Sequence, residues 1–456
     1  MLPNYRKLKV LRRSRVVWGS YRAWRPRVVF WLGALSIGLI SVIFAHLADA
    51  AQHLFKSTIS GGGWRSFLPL LITPTVFGLS AWFTIKVFPN AGGSGIPQAI
   101  AARHLREDEE RSRLLSFKLA FGKIFLTILG LFGGASIGRE GPTVQVGASF
   151  MLQAARWGGM ARAEGLIMAG SAAGIAAAFN TPLAGIVFAI EEMSRSYQSR
   201  TNGLVLTAVI LSGLAAMALL GNYTYFGRTD AFFSGGIDWV TAGICGIGGG
   251  MLGAAFSRGA LYLAIRTKRW ALPDPMRRMV GLAIGCGLAV AVIGMISGGT
   301  TYGTGYEEAS AALQGNAPSP FYFIEKLAAS FLSMVSGIPG GIFAPSLSVG
   351  AGFGSTVGLL MGTSIGLAAV FGMAGYFSGV VQAPMTAFVI ILEMTDGHEN
   401  VIALMAVSML GYVSSRIISR EPLYHGLSRA FIAQGIRQRR AAAREAGAQA
   451  GTQTPG

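Results

Sequence analysis

The sequence predicts an all-α, polytopic membrane protein built from two inverted-topology repeats of spanning and broken helices. Composition is the first ground for this. The 456 residues are 52% hydrophobic and only 13% charged, with a mean hydropathy of +0.51, too little charge to cover a soluble protein of this length. The second is the recurrence of apolar runs along the whole chain, at 28–48, 68–88, 119–137, 164–193, 204–220, 238–265, 279–297, 324–348, 355–373, 374–394 and 401–418. Several reach the roughly 20 residues that cross a bilayer; others are shorter, or broken by Gly and Pro. The 64 glycines fit close helix packing in lipid, where small residues let backbones approach.

The third ground is an internal repeat. Gly138-Arg139-Glu140-Gly141-Pro142 is followed by Val146-Gly147-Ala148-Ser149-Phe150, and Gly341-Ile342-Phe343-Ala344-Pro345 by Val349-Gly350-Ala351-Gly352-Phe353. The two stretches lie about 203 residues apart, and matches in register mark a duplicated half. Further on, Pro182 precedes Glu191 by nine residues, as Pro384 precedes Glu393. The charges orient the halves. From Pro142 to Arg200 the first copy holds Arg156, Arg162, Arg195 and Arg200, whereas the matching stretch from Pro345 to Val401 holds no Lys or Arg, only Glu393, Asp396 and Glu399. By the positive-inside rule corresponding loops face opposite sides. Such an inverted repeat is typical of transporters with a midplane site made from broken helices. The halves are expected at about 28–225 and 226–430.

The net charge of +18 is explained by topology rather than nucleic acid. Residues 1–27 hold nine Lys or Arg and no acid, and the 431–456 tail carries Arg437, Arg439, Arg440 and Arg444. Both termini are therefore expected on the cytoplasmic side, with further cytoplasmic loops at Arg103–Arg113 and Arg266–Arg278. The tail is Ala-, Gln- and Arg-rich and is expected to be disordered at its end. Ala48-Asp49-Ala50 resembles a leader-peptide cleavage site, but the apolar segment before it is longer than an h-region, which favours a span. Cys245 and Cys286 both fall in apolar spans and read as packing residues. The five histidines are scattered without ligand spacing, and neither a metal nor a cofactor is expected.

The chemistry concentrates where Gly and Pro interrupt apolar sequence, at 93–97, 138–142 and 341–345. Gly lets the chain turn close to an ion, and Pro is tolerated in a first helical turn. These breaks read as helix starts inside the membrane. Each such start carries free N–H groups and about half a positive charge, so several converging ones would bind an anion without a full cation. Glu140 stands out because a carboxylate at a helix start within the membrane is costly unless functional or paired. A pairing with Arg139 is awkward, since neighbours on a helix point about 100° apart.

Gly93-Ser94-Gly95-Ile96-Pro97, Gly138-Arg139-Glu140-Gly141-Pro142 and Gly341-Ile342-Phe343-Ala344-Pro345 resemble the three signature motifs of the chloride channel and transporter family, in the family's order. Phe179-Asn180-Thr181-Pro182-Leu183-Ala184-Gly185 and Pro422-Leu423-Tyr424 resemble two further family segments, so the likeness runs from about residue 30 to 430. The resemblance implies anion-binding roles for Ser94 and Tyr424 through their hydroxyls, for the backbone N–H groups of Ile342 and Phe343, and for those around Arg139 and Gly141. It implies that Glu140 is the gating carboxylate, and that Glu192 passes protons to the cytoplasm as it does in exchangers. It further implies a homodimer, with chloride and protons as substrates, and a bacterial or archaeal plasma membrane, without the paired regulatory domains of many eukaryotic members. Gln98 departs from the pattern, standing where many relatives carry Glu. The nearest alternative is a passive gated chloride channel; in this family such members tend to lack the inner glutamate. A serine hydrolase reading, from Gly92-Gly93-Ser94-Gly95 or Gly134-Ala135-Ser136-Ile137-Gly138, lacks a base and a sheet.

Overall fold

The computed structural model describes residues 21–161, 163–194, 202–221, 224–227 and 232–451. The first half holds α1 (Tyr21–Ile59), α2 (Pro69–Lys86), α3 (Ile96–His104), α4 (Asp108–Ser112), α5 (Phe117–Phe132), α6 (Glu140–Gly158), α7 (Ala163–Phe179), α8 (Pro182–Phe188) and α9 (Asn202–Leu220). A π-helical turn, Ala189–Ser194, extends α8. The second holds α10 (Ile237–Ala271), α11 (Pro275–Ile296), α12 (Tyr306–Leu313), α13 (Tyr322–Val335), α14 (Phe343–Met361), α15 (Ile365–Val381), α16 (Pro384–Thr395), α17 (Val401–Ile418) and α18 (Leu423–Gly451). Eight helical stretches among the described residues are long and apolar enough to cross a bilayer. Extended pairing among them is limited to two isolated bridges, Gly93 with Pro339 and Gly138 with Gly341.

Several apolar runs divide where the sequence reading left them whole. The run 164–193 breaks between α7 and α8, where Asn180 adopts the left-handed conformation (φ 57°) and Pro182 opens the next helix. The run 324–348 breaks between α13 and α14, with Gly337 left-handed (φ 78°). The boundary placed at 373/374 lies instead at Gln382 (φ 57°), ahead of Pro384. Uniformly apolar sequence has no periodicity to mark such ends. The tail is helical through Gly451, as Ala, Gln, Glu and Arg are strong helix formers. Residues 452–456, most of the basic segment before Tyr21, and Arg162, Arg195 and Arg200 lie outside the described residues.

The repeat is visible element by element. Helices α6 and α14 are both 19 residues long, and α7 and α15 are both 17. Their ends match too: Gly159 and Gly362 close the first pair, Asn180 and Gln382 follow the second, all left-handed. Gly147 faces Gly170 between α6 and α7, as Gly350 faces Gly372 between α14 and α15. A Cβ at any of the four would collide with backbone, so the helix axes approach as only glycine permits. Two buried lysines also correspond. Lys123 on α5 donates to the Ala91 and Gly93 carbonyls (2.5 and 2.7 Å); Lys326 on α13 donates to those of Thr301 and Gly303 (2.9 and 2.8 Å).

The contacts between halves are reciprocal. Gly138 N–H donates to Gly341 O and Gly341 N–H to Gly138 O, both at 2.7 Å, in an antiparallel bridge. From it α6 and α14 depart in opposite directions. The Glu393 carboxylate on α16 accepts from the N–H groups of Leu183 and Ala184 at the start of α8 (3.0 and 2.7 Å). Glu191 accepts from those of Met385 and Thr386 at the start of α16 (3.1 and 2.6 Å). Equivalent residues that touch each other in this mutual way lie about a twofold axis, the geometry of an inverted repeat.

Each carboxylate cap supplies two charge-assisted bonds to otherwise unmet helix N–H groups. Glu393→Ala and Glu191→Ala are each expected to lose about 1.5–3 kcal/mol, read as a lowered midpoint of thermal unfolding in detergent. An unchanged midpoint in both variants would mean that water serves these helix starts as well.

Candidate functional site

The helix starts of α3, α6 and α14 converge in the interior. Besides the Gly138–Gly341 pair, Gly93 N–H donates to Ile338 O and Gly340 N–H to Gly93 O, both at 3.1 Å. All three turns are thus stitched together through backbone bonds. Gly95 caps α3 in the left-handed conformation (φ 102°), and a Cβ on it would lie 2.9 Å from Gly141 O. A Cβ on Gly141 would strike Ser94 Oγ. Two glycines therefore allow the Ser94 loop to lie directly against the first turn of α6.

Ser94 is not the cap of α3: Gly95 is, and no side chain bonds to the helix start. Its hydroxyl is left to point elsewhere. Tyr424, in the first turn of α18, is fully buried rather than anchored at an interface, with its ring stacked on Phe343 (centroids 6.0 Å apart). The Ser94 and Tyr424 hydroxyls are near enough to interact, yet neither closes a hydrogen bond of normal geometry among the described residues. Buried hydroxyls need polar partners, and these two lie together, Ser94 against the first turn of α6 and Tyr424 against Phe343 of α14. Ile342 caps α14 and Phe343 is its first residue, so their N–H groups belong to that cluster.

Glu140 is the first residue of α6 and has no solvent exposure. Its Oε1 accepts from the Tyr225 hydroxyl at 3.3 Å, and its own N–H and that of Ala344 face the carboxylate. Oε2 has no hydrogen-bond partner among the described residues. Arg139 turns away from it. Its guanidinium pairs with Asp49 on α1 at 2.8 Å and donates to Ala45 O at 2.7 Å. The side chain of Arg139 is thus spent on α1, and its closeness to Glu140 contributes charge rather than a direct ion pair.

Glu192 lies on the π-helical turn after α8, also fully buried. Tyr424 is within electrostatic reach of both glutamates. The Glu192 carbonyl oxygen is 2.9 Å from His425 Nε2, and its Oε1 is 3.7 Å from the same nitrogen. Arg195, the residue three positions on, lies outside the described residues. Gln98 now has a physical account: its Nε2 donates to the carbonyls of Gly92 (2.6 Å) and Asn90 (3.2 Å), which an ionised Glu cannot do.

All the residues singled out in sequence thus gather here, Glu140, Ser94, Gly141, Ile342, Phe343 and Tyr424 at the helix starts, Glu192 beyond Tyr424, and Arg139 through its backbone and field. Four others escaped the sequence reading. Lys123 backs the Ser94 loop, and a lysine inside an apolar run was the available signal. Asp49, the partner of Arg139, carried the same kind of signal within α1. Tyr225 and His425 follow or precede recognisable segments but match no motif. Ser136 Oγ bonds to Ser330 Oγ at 3.0 Å.

Known proteins point the same way. Residues 76–416 match the family described as voltage gated chloride channel. The chain is 29% identical to the H(+)/Cl(-) exchange transporter ClcA of Salmonella paratyphi A, over 91% of each chain, and 28% identical to that of Salmonella typhimurium, with the same coverage. Among solved structures it resembles a slow cyanobacterial Cl-/H+ antiporter with a TM-score of 0.77 and 23% identity, covering 90% of this chain and 98% of the other. A CLC-type fluoride/proton antiporter gives a TM-score of 0.74, again at 23% identity, covering 90% and 99%. With the motifs, the broken helices and three quarters of the chain in agreement, this protein belongs to the voltage gated chloride channel family.

Proposed function

We propose that the chain is a secondary active anion transporter exchanging chloride for protons, with Glu140 as the gating carboxylate and Glu192 as the internal proton-transfer residue. The observation that carries this reading is the fully buried Glu140 carboxylate at the start of α6. It stands beside the same cluster of N–H groups and hydroxyls that suits an anion. A carboxylate there behaves as a tethered competitor. Ionised, it occupies the positive end of the helix; protonated, it loses that attraction and yields the place to chloride. Each protonation is thereby tied to an anion step.

Chloride is held without a full cation, by the Ser94 and Tyr424 hydroxyls and the N–H groups of Ile342 and Phe343, with those near Arg139 and Gly141 serving the outer position. Such a site binds strongly enough to dehydrate the ion and weakly enough to release it. Glu192, beyond Tyr424, hands protons toward the cytoplasm. The relatives at 28–29% identity that carry the name H(+)/Cl(-) exchange transporter favour exchange over passive conduction. The working unit is a homodimer in a bacterial-type plasma membrane, with both termini cytoplasmic.

The deciding experiment is proton flux in liposomes containing the purified protein, driven only by a chloride gradient with voltage clamped by a potassium ionophore. Uphill proton movement is expected; chloride flux without it would leave a passive channel. Glu140→Gln is expected to cut coupled proton movement at least about 100-fold, the scale of losing an acid–base group, while anion flux persists. Continued chloride accumulation under a pH gradient would remove Glu140 from gating. Glu192→Ala should lose proton movement to a similar degree and keep chloride flux, whereas intact coupling would place the inner proton site elsewhere. Ser94→Pro removes a donor worth about 1.5–3 kcal/mol to a charged ligand and is expected to shift preference toward nitrate. An unchanged chloride-to-nitrate flux ratio would exclude Ser94 from selectivity.

A further inference from the structure

We propose that His425 is the relay through which Glu192 exchanges protons with the aqueous phase on its side of the membrane. This rests on the proton-transfer role given to Glu192 above. That carboxylate is fully buried, so every proton it handles must pass through protein or confined water. His425 side chain retains 18% exposure, against 0% for Glu192, with its Nε2 3.7 Å from Glu192 Oε1. The same nitrogen is 2.9 Å from the Glu192 carbonyl, which fixes the ring with one edge toward the carboxylate. A small side-chain rotation brings the pair into hydrogen-bond range.

The chemistry suits the position. Histidine is the side chain whose ordinary pKa, about 6.5, lets it take and give protons near neutral pH. A proton from water makes the ring imidazolium. The Nε2 proton then passes to Glu192 Oε1, leaving the ring as its neutral Nδ1–H tautomer and Glu192 as the carboxylic acid; a ring flip or tautomer exchange through water returns an N–H to the Glu192 side, and once Glu192 has passed its proton on, the next proton from water restores the imidazolium. Three basic side chains of α18 and neighbouring elements, among the described residues, are engaged elsewhere. Arg103 on α3 donates to the Met193 carbonyl, with Glu164 on α7 within its field. Arg429 pairs with Glu421 at 2.9 Å. Lys268 on α10 lies over the Phe431 ring. His425 also directly follows Tyr424, so the helix that presents the hydroxyl to the anion presents the imidazole to the proton.

The alternative is that His425 merely ties the start of α18 to the Glu192 carbonyl. His425→Gln separates the two, because an amide donates to a carbonyl but does not relay protons. In the liposome assay, with wild-type protein measured alongside, His425→Gln is expected to retain chloride flux, lose proton flux by about tenfold or more, and raise the chloride-to-proton ratio. Imidazole added as a small diffusible carrier should recover part of the proton flux in His425→Ala. Unchanged coupling in His425→Gln would overturn the relay, as would parallel loss of both fluxes without imidazole rescue. If the wild type itself moved no protons uphill, the exchanger reading would fall first and the relay with it; a coupled wild type with an indifferent His425→Gln would sink the relay alone.

Discussion

Backbone groups inside a membrane must be satisfied by the protein, and this single constraint organises the fold. A helix that begins at mid-depth exposes N–H groups that lipid cannot meet. Here two such helices, α6 and α14, start against each other. The two-way bond between Gly138 and Gly341 answers the turns that precede them, while the N–H groups just inside remain available. The site is what is left over once the turns have been satisfied. Its positive character is therefore built into the backbone, and side chains only refine it: hydroxyls from Ser94 and Tyr424, a carboxylate from Glu140, and the Lys123 side chain behind the Ser94 loop.

The twofold relation between halves is closest in the structural elements and breaks at the positions proposed to carry function. Helix lengths, left-handed ends, facing glycines, buried lysines and carboxylate caps all correspond. At the proposed gating and proton-transfer positions they do not. Glu140 stands opposite Phe343, and Glu192 opposite Met394. The buried lysines differ as well, Lys326 having Glu308 within its field.

Much of this was legible in the chain itself. Breaks such as 93–97 and 138–142 announce helix starts because Gly and Pro have few other uses inside an apolar run, and Glu140 announces itself by being a carboxylate there. The paired Pro182–Glu191 and Pro384–Glu393 spacings were visible as a pattern, but their meaning was not. Each glutamate serves a helix in the other half, about 200 residues distant, and sequence order carries no trace of that. The limits of α7, α14 and α15 were hidden for a different reason. When every face of a helix is buried or lipid-facing, composition no longer oscillates, and only residues like Asn180 and Gln382, odd in retrospect, betray the turn. Tyr225 and His425 were beyond reach because their importance comes from a neighbour rather than from a motif.

The crossed carboxylate caps also bear on how the chain comes to be folded. Glu191 leaves the ribosome nearly two hundred residues before the helix start it serves, and the start of α8 waits equally long for Glu393. Until then the first half holds an acidic group and a bare helix end, both of which favour water over lipid. Neither half is a finished module on its own. Insertion of the early helices must leave this region loose at the membrane boundary, and the final closure is a single event in which both caps and the Gly138–Gly341 bond lock together. Duplication created two copies, but exchange of caps made them obligate partners, so that a chain stopped short of α16 would lack part of its first half as well.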